Sequence, residues 1–410
     1  MTSSVHPIPG PDAALLRDVT ESVAKHEHLL VEVRRDLHAH PELSWTEERT
    51  TAALAKRLDE AGLVPRPMPR GGLLVDIGPE GGGRSVVGPV VALRADLDAL
   101  PVEDRSDDPW ASTVPGVAHA CGHDVHATAV LGAGLALAEV RDRLPGQVRL
   151  VFQPAEETMP GGALMAIDAG ALEGVSRIFA LHVDPTLDVG TVGLREGPLT
   201  GASDHLDVML SGKGGHTSRP HLTEDLTFAL GKLVTELPAV LSRRLDPRSG
   251  VSVVWGVVRS GSAVNVIPDT GRAGGTVRML DGAAWAGAEA LVREIVQQIV
   301  EPYGVQPTIT YIRGVPPVVN DYWSTTLLGR AVERSFGDEA HVGTSQSLGG
   351  EDFAWYLESV PGAMGRLGTR TPGGPTYDLH QGDLRVDERA ISVGATVLAG
   401  AALEAMVTER

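Results

Sequence analysis

The chain is poor in cysteine, in aromatic side chains and in basic charge. Its 410 residues include one cysteine and 4% aromatic residues, and 35 basic side chains stand against 53 acidic ones, a formal net charge of −18. A single cysteine excludes a disulfide within the chain and is typical of a reducing compartment. The acidic balance argues against nucleic acid or an anionic membrane as a partner, and a small anion would need a locally positive pocket.

Long apolar runs and targeting signals are also missing. No apolar stretch approaches the ~20 residues of a membrane helix, and Met1–Gly10 lacks the basic and apolar regions of a signal peptide. We therefore expect a cytoplasmic protein without a membrane partner. Hydrophobic residues make up 42% of the chain, which is enough for a sizeable core, and the length is typical of two or three domains.

The first half of the chain has the pattern of an α/β fold. Apolar side chains at near-helical spacing predict a helix over 12–40, and Ser44-x-x-Glu47 predicts a capping box for a second helix. Short apolar strands then alternate with helical segments. The predicted strands are 73–77, 90–93, 148–152 and 178–183, and a Gly-rich turn from Pro79 to Gly83 separates the first two. Such alternation indicates a sheet covered by helices on both faces.

The pattern changes near residue 200. The predicted elements are a strand at 205–210, a helix at 224–243, strands at 251–258 and 273–280, a helix at 283–300 and a strand at 307–312. This β-α-β-β-α-β order is that of a ferredoxin-like sandwich. We therefore predict that 200–314 is a domain inserted into another domain, whose two parts are 1–199 and 315–410.

The motif His-Ala-Cys-Gly-His-Asp, residues 119–124, holds the sole cysteine with a histidine two positions away on each side. A thiolate and an imidazole this close can bind one divalent metal, or one each of an adjacent pair. Gly122 lets the backbone turn tightly enough for both side chains to converge. With His126 and His182 the motif forms a group of four imidazoles, which favours a metal site. The alternative is a buried, inert cysteine beside ordinary histidines.

Polar clusters follow three of the apolar strands. Asp96 and Asp98 follow one strand, Glu156 and Glu157 follow a second, and His182 ends a third. Ligands of open α/β sheets bind beyond the carboxyl ends of the strands. Each cluster alone would equally fit a solvated turn, but together with the Cys-x-His loop they predict a single site.

The adjacent Glu156 and Glu157 suit two different tasks. Neighbouring side chains of an extended segment point to opposite sides, so one carboxylate can ligate a metal while the other faces a substrate. Metal binding lowers the pKa of a bound water toward ~7. The free carboxylate can then take that proton and later deliver it to a leaving nitrogen. The alternative is a pair of exposed surface glutamates.

Seven motifs occur in one order along the chain. They are Arg-Arg-Asp-Leu-His-Ala-His-Pro-Glu-Leu-Ser, His-Ala-Cys-Gly-His-Asp, Gln-Pro-Ala-Glu-Glu, Ala-Leu-His-Val, Gly-Lys-Gly-Gly-His, Asn-Val-Ile-Pro and Gly-Gly-Glu-Asp-Phe-Ala. Together, over roughly residues 30–400, the sequence resembles the M20 metallopeptidase family in its amidohydrolase branch. That branch includes hippurate hydrolases, N-acyl-amino-acid aminoacylases and indoleacetyl-amino-acid hydrolases.

The resemblance implies an α/β fold: a mixed-sheet, two-metal, exopeptidase-like catalytic domain with the ferredoxin-like insertion as a lid and dimerisation domain. It also implies two divalent metal ions per subunit, zinc or manganese, since thiolate and imidazole suit zinc but geometry and availability decide. The matching metal ligands are Cys121, His123, Glu157, His182 and His380. Glu156 matches the general base.

Three residues of the insertion match positions that contact the substrate. His216 matches a histidine that reaches the active site of the partner subunit and polarises the scissile carbonyl. Asn265 and Arg278 match residues that hold the substrate, and Arg278 suits a bidentate grip on a carboxylate. Asp98 is a candidate for orienting a metal ligand.

The sequence departs from the family pattern in two loops. After His380 the family usually has Ser-Pro and an aromatic residue, whereas this chain has Gln381-Gly382-Asp383-Leu384. After His216 it has Thr217-Ser218-Arg219-Pro220 in place of small apolar residues. The first departure affects a pocket wall, and the second places a positive charge near the substrate entrance.

These observations predict a homodimeric, metal-dependent amidohydrolase that cleaves N-acyl amino acids through a metal-activated water with Glu156 as base. One alternative is a dipeptidase or exopeptidase of the same superfamily; Cys121, in place of an aspartate-type bridging ligand, favours the amidohydrolase. Another alternative is a catalytically silent metal-binding protein on this fold, against which the complete ligand set and Glu156 argue.

Overall fold

The computed structural model describes residues 10–79 and 88–408. The start of the Met1–Gly10 stretch and most of the predicted Gly-rich turn lie outside the described residues. The helices are α1 (Ala13–Ala39), α2 (Glu48–Glu60), α3 (His123–Glu139), α4 (Ala163–Asp168), α5 (Leu226–Arg244), α6 (Gly282–Val300), α7 (Tyr322–Phe336), α8 (Ala354–Leu357) and α9 (Arg389–Val407). The strands are β1 (Arg66–Pro67), β2 (Leu73–Ile77), β3 (Val90–Asp96), β4 (Gln147–Gln153), β5 (Val175–Asp188), β6 (Val192–Leu194), β7 (Gly197–Pro198), β8 (Ala202–Ser211), β9 (Gly215–His216), β10 (Ser252–Ser260), β11 (Val266–Ile267), β12 (Thr270–Met279), β13 (Gln306–Val315), β14 (Val319–Asn320), β15 (His341–Gly343) and β16 (Gly362–Arg370).

The chain forms two compact units. The first comprises residues up to Gly197, Val319–Ser345 and Trp355 onward, and the second comprises Pro198–Val318 and Gln346–Ala354. In the first unit an eight-stranded mixed sheet has the order β1-β2-β4-β3-β5-β16-β6-β15. The predicted α/β fold with a mixed sheet is therefore confirmed.

The centre of this sheet is parallel. β4, β3, β5 and β16 run in one direction, and β2 and β6 pair antiparallel on either side. The register pairs Asp96 with Gln153, so the carboxyl ends of β3 and β4 lie side by side. β5 continues to Asp188, so the prediction that this strand ends near His182 was wrong. The polar residues that follow β3 and β4 therefore lie at one edge of the sheet, whereas His182 lies within β5.

The core of the first unit lies between the sheet and the helices α1, α3, α7 and α9, which pack on one another. α9 is long and apolar enough to cross a membrane by length and composition, with a mean hydropathy of 1.8 over its most apolar window. The expectation that no apolar run approaches this length was therefore wrong. However, 89% of that window is buried inside the structure, as in the core helix of a globular protein.

The second helix begins differently from the predicted capping box. The N-cap residue Glu47 makes no capping bond with its side chain, and Ser44 Oγ donates to Asp98 instead. The carboxylate of Glu42 accepts the amides of Arg49 and Thr50, at 2.9 and 2.8 Å. The orphan amides of α2 are thus satisfied from outside the Ser-x-x-Glu motif, which leaves both motif side chains for other contacts.

The second unit contains β8, α5, β10, β12, α6 and β13 in that order, as the sequence predicts. The four strands form an antiparallel sheet with the order β10-β12-β8-β13, on which α5 and α6 pack. A buried carboxylate connects its layers, because Asp204 on β8 accepts hydrogen bonds from Trp285 Nε1 at 3.0 Å and from the Gly314 amide at 2.8 Å. The lid and dimerisation roles of this unit remain predictions.

Candidate metal centre

The Cys-Gly-His turn begins α3 at the edge of the parallel strands. Gly122 has φ 78°, a left-handed conformation that few side chains tolerate. A Cβ at this position would also lie 2.5 Å from Val183 Cγ2 on β5. Glycine is therefore required for the turn to pack against the sheet, and this packing directs Cys121 and His123 toward the same region.

The structure brings the five predicted metal ligands together. Cys121 Sγ lies 3.5 Å from His182 Nε2, and Glu157 Oε1 lies 3.8 Å from His123 Nε2 and 3.4 Å from His380 Nε2. Donor atoms of Cys121, His123 and His182, and those of Cys121, Glu157 and His380, fall within 4.8 Å of one another. Cys121 belongs to both groups, as expected of a ligand shared by two metals.

The chemistry of these donors fits divalent cations. His123 Nε2 and Glu157 Oε1 are buried without a hydrogen-bond partner among the described residues, a state that normally needs an explanation such as an ion. Burial raises the pKa of the Cys121 thiol to about 12. The thiol is then protonated at neutral pH unless a cation stabilises its thiolate, so metal binding at this site releases a proton.

His380 reaches the centre from late in the chain through a constrained loop. Its φ is 61°, and its amide donates to the Ala120 carbonyl at 2.7 Å, next to Cys121. In the loop that departs from the family pattern, a Cβ on Gly382 would lie 1.9 Å from the Glu103 carbonyl oxygen. The Gly382 carbonyl also accepts the Arg105 amide at 2.7 Å. In this loop the backbone of Gly382 packs closely on that of residues 103–105, and His380 still reaches Glu157.

Asp98 connects the glutamate pair to His123. Its two carboxylate oxygens accept the amides of Glu156 and Glu157 at 3.0 and 2.9 Å, and Oδ1 lies 3.3 Å from His123 Nδ1. A carboxylate against the second nitrogen of a metal-binding imidazole fixes its tautomer and orientation. Asp98 therefore positions three residues of the centre at once.

Glu47 performs a similar task and was missed by the sequence analysis. Its Oε1 accepts the Ala155 amide at 2.7 Å, and Ala155 has φ 56°, a strained conformation for a residue with a Cβ. Glu47 and Asp98 therefore hold three consecutive amides, 155 to 157, in the conformation that presents the glutamate pair. The Ser44-x-x-Glu47 motif predicts a helix cap, whereas Glu47 accepts a backbone amide of the glutamate loop.

The protonation of Glu47 makes the stability of the folded protein depend on pH. Burial, together with the nearby charge of Asp98, raises the pKa of Glu47 to about 7 from an ordinary 4.5. Between these pH values the folded protein holds a proton that the unfolded chain has lost. The stabilisation is therefore complete below pH 4.5 and is lost as the pH rises through 7.

We expect Glu47→Gln, which resembles the protonated form at every pH, to gain stability relative to the wild type as the pH rises from 5 to 8. The gain should approach about 3 kcal/mol, measured by thermal and urea unfolding. Glu48→Gln, at the exposed neighbouring glutamate, serves as the control and should show no such trend. A Glu47→Gln difference that is the same at both pH values would contradict the buried, proton-binding state.

Two predicted imidazoles lie outside the group of donors described above. His126 Nε2 accepts the Val183 amide at 2.8 Å, and its Nδ1 lies 2.6 Å from Asp96 Oδ1. Arg94 Nη1 donates to the other oxygen of Asp96 at 2.6 Å. Asp96 and His126 could join His123 as metal donors by distance, but their polar atoms are already engaged. Burial lowers the pKa of His119 to about 4, so this buried imidazole is neutral.

His182 is held from two sides. Its Nδ1 lies 2.8 Å from the carbonyl oxygen of Val183. Its Nε2 therefore faces Cys121. Burial and the positive charge of Arg366 on β16 lower the pKa of His182 well below its usual range. A neutral imidazole is the form that binds a metal.

The predicted substrate-contacting residues lie in the second unit. β9 and β11 pair as a short antiparallel ribbon, in which His216 lies opposite Val266. Asn265 directly precedes Val266 and so lies next to His216. His216 is exposed, and its Nδ1 accepts the Ser218 amide at 3.1 Å. Arg278 is half-buried and donates to the Leu348 carbonyl. The structure thus brings His216 and Asn265 together, while the roles of all three residues remain predictions.

Comparison with known proteins identifies the family. The model of peptidase family M20/M25/M40 matches residues 92–404. N-acetyl-L-cysteine deacetylase of Bacillus subtilis is 37% identical over 385 residues, which cover 93% of this chain and 90% of that protein. The Bacillus subtilis YXEP protein, described as a dinuclear metal binding peptidase, is 33% identical with a TM-score of 0.81 over 93% of this chain and 99% of that one.

A further relative is longer. "Putative glutamate--cysteine ligase 2-3" of Rhodococcus jostii is 50% identical over 380 residues, which cover 92% of this chain but 47% of that protein. This chain therefore spans about half the length of that relative. The family match covers most of the sheet and α9, and it includes Cys121, Glu157, His182 and His380. On this evidence the chain belongs to peptidase family M20/M25/M40.

Proposed function

We propose that the protein is a metal-dependent amidohydrolase that cleaves the amide bond of N-acyl amino acids. The observation that carries the proposal is the convergence of Cys121, His123, Glu157, His182 and His380 beside Glu156. The name of the Bacillus subtilis deacetylase supports an N-acyl amino acid as substrate. The Rhodococcus jostii relative is about twice as long as this chain, and its name does not say what the matched half acts on.

Cys121, His123, Glu157, His182 and His380 would hold two divalent ions. Such ions supply Lewis acidity and lower the pKa of a bound water. Glu156, fixed through its amide by Asp98, takes the proton of the attacking water and gives it to the leaving nitrogen as the amide bond breaks. Zinc suits the thiolate and imidazole donors and manganese the carboxylate, so we propose one of these two metals.

The second unit supplies the substrate contacts in this proposal. His216, exposed on its ribbon, donates a hydrogen bond to the scissile carbonyl oxygen of a substrate bound in the partner subunit. Asn265 adjoins it and contacts the same substrate. Arg278 holds the α-carboxylate, since a guanidinium matches a carboxylate in charge and shape. The proposal therefore includes a homodimer, with 200–314 as the lid and dimerisation domain between 1–199 and 315–410.

The test is a substrate panel after reconstitution with zinc or manganese. The metal-free protein is loaded with each metal, and the metal content is measured before the assay. We expect N-acetyl and N-benzoyl amino acids, including N-acetylcysteine, to be hydrolysed with a higher kcat/KM than dipeptides. A preference for dipeptides would indicate an exopeptidase of the same superfamily. Full metal occupancy without turnover of any compound would indicate a silent metal-binding protein.

A further inference from the structure

Arg366 lies beside the metal centre on the first unit. On β16 it is paired with His182 of the parallel neighbour β5 and with Gly193 of β6. Directly paired residues extend to the same face of a sheet. The adjacent position faces the other way, since a Cβ on Gly365 would lie 2.9 Å from Leu181 in the core. The side chain of Arg366 therefore extends to the face that carries His182.

The guanidinium of Arg366 is half-buried and makes no hydrogen bond or ion pair with any residue in 10–79 or 88–408. This distinguishes it from the buried arginines of the same unit. Those are paired with carboxylates, namely Arg34 with Asp124 at 2.8 Å, Arg94 with Asp96 at 2.6 Å, Arg149 with Asp76 at 2.7 Å and Arg177 with Asp321 at 3.0 Å. The net charge is −18, yet no carboxylate among the described residues forms an ion pair with Arg366.

The position is unfavourable for a cation unless an anion joins it. Arg366 adjoins His182, whose imidazole belongs to the proposed binding site for doubly charged ions, and like charges at short distance repel. A carboxylate between guanidinium and metal removes the repulsion and satisfies donors that are otherwise left to water. The ligand expected at Arg366 is therefore the carboxylate of a bound molecule.

We propose that Arg366 is a specificity-determining residue that binds a carboxylate on the acyl group of the substrate. The inference rests on the proposed function, in which Arg278 holds the α-carboxylate of the amino acid. Arg366 adjoins His182 of the metal centre, and a second guanidinium fits a second carboxylate. The preferred substrates are then N-acyl amino acids whose acyl group is a dicarboxylic acid joined through one of its ends.

The test uses four substrates that carry both, one or neither of two carboxylates. N-succinyl-alanine and N-acetyl-alanine differ in the acyl carboxylate, and their alaninamide counterparts lack the α-carboxylate. We expect the wild type to prefer succinyl over acetyl by roughly tenfold or more in kcat/KM. Arg366→Met should abolish that ratio and leave the α-carboxylate preference unchanged. Arg278→Met should abolish the α-carboxylate preference and leave the succinyl preference unchanged. Arg366→Lys should keep part of the succinyl preference.

Binding measurements separate this inference from the proposed function. N-succinyl-alanine and N-acetyl-alanine are titrated by calorimetry into metal-loaded Glu156→Gln protein, with and without Arg366→Met. Tighter binding of the succinyl compound that depends on Arg366 supports the inference even if no compound is hydrolysed. A wild type without the succinyl preference overturns it. An Arg366→Met effect on the α-carboxylate ratio alone also overturns it, as it would assign Arg366 to the amino acid side.

Discussion

Glu156→Gln protein should bind its full complement of metal and lose turnover by a factor on the order of 10²–10⁴. The amide keeps the size of the carboxylate, and the hydrogen bond from the backbone of residue 156 to Asp98 is unaffected. The change therefore removes the proton acceptor without removing a proposed metal ligand. The measurement is kcat under saturating substrate, together with the metal content of the same sample.

The matched control for this loss is Glu173→Gln, at an exposed glutamate away from the centre, which should keep wild-type kcat. Glu157→Gln provides the contrast, since it should reduce metal content as well as turnover. Near-wild-type kcat in metal-replete Glu156→Gln protein would remove Glu156 from the base role. Loss of metal from that variant would instead show that it acts as a ligand.

His216→Ala and Glu156→Ala proteins should each be nearly inactive alone and should recover activity when mixed. In a mixed two-fold dimer, the subunit with His216→Ala keeps its own Glu156 and borrows an intact His216 from its partner. The other site of that dimer lacks both groups. Random mixing makes about half of the dimers mixed, each with one complete site of two, so activity should recover to roughly a quarter of the wild type.

The experiment is to unfold and refold the two variants together and to compare the product with each variant refolded alone. Subunit exchange is verified by native mass spectrometry, and zinc or manganese is restored before the assay. Ser218→Ala is a milder variant, because it removes a hydroxyl 2.9 Å from His216 Nδ1 and keeps the imidazole. Verified exchange with activity equal to the sum of the two variants would show that His216 acts within its own subunit.

Periodic patterns allowed much of the fold to be predicted. α1 and β2 were predicted almost to the residue, because apolar spacing and a terminal Asp12 cap act locally. The predicted end of β5 was wrong, because its extension to Asp188 depends on pairing with Arg370 of β16, 182 positions later. A C-terminal helix rich in alanine and leucine is predicted from the sequence, but the length of the apolar run in α9 was underestimated.

The candidate centre was predicted from motif identity rather than from distances. Cys121 and His123 share one turn, so their convergence could be inferred from Gly122 alone. The contact of Asp98 with His123 was expected, but the hydrogen bonds of Glu47 and Asp98 to backbone amides of a distant loop could not be inferred. When a side chain accepts a hydrogen bond from a backbone amide, the donating residue can be of any type, so no sequence pattern reveals the contact.

The discontinuity of the first unit has a consequence for biosynthesis. β16 lies between β5 and β6 in the middle of the sheet, and α9 fills the space beside α1 and α3. A nascent chain that has emerged only as far as Gly197 exposes the edge of β5 and an unfilled apolar layer, and it lacks His380. Nearly the whole polypeptide must therefore emerge from the ribosome before this sheet can close, and until then the open edge of β5 is exposed to edge-to-edge association.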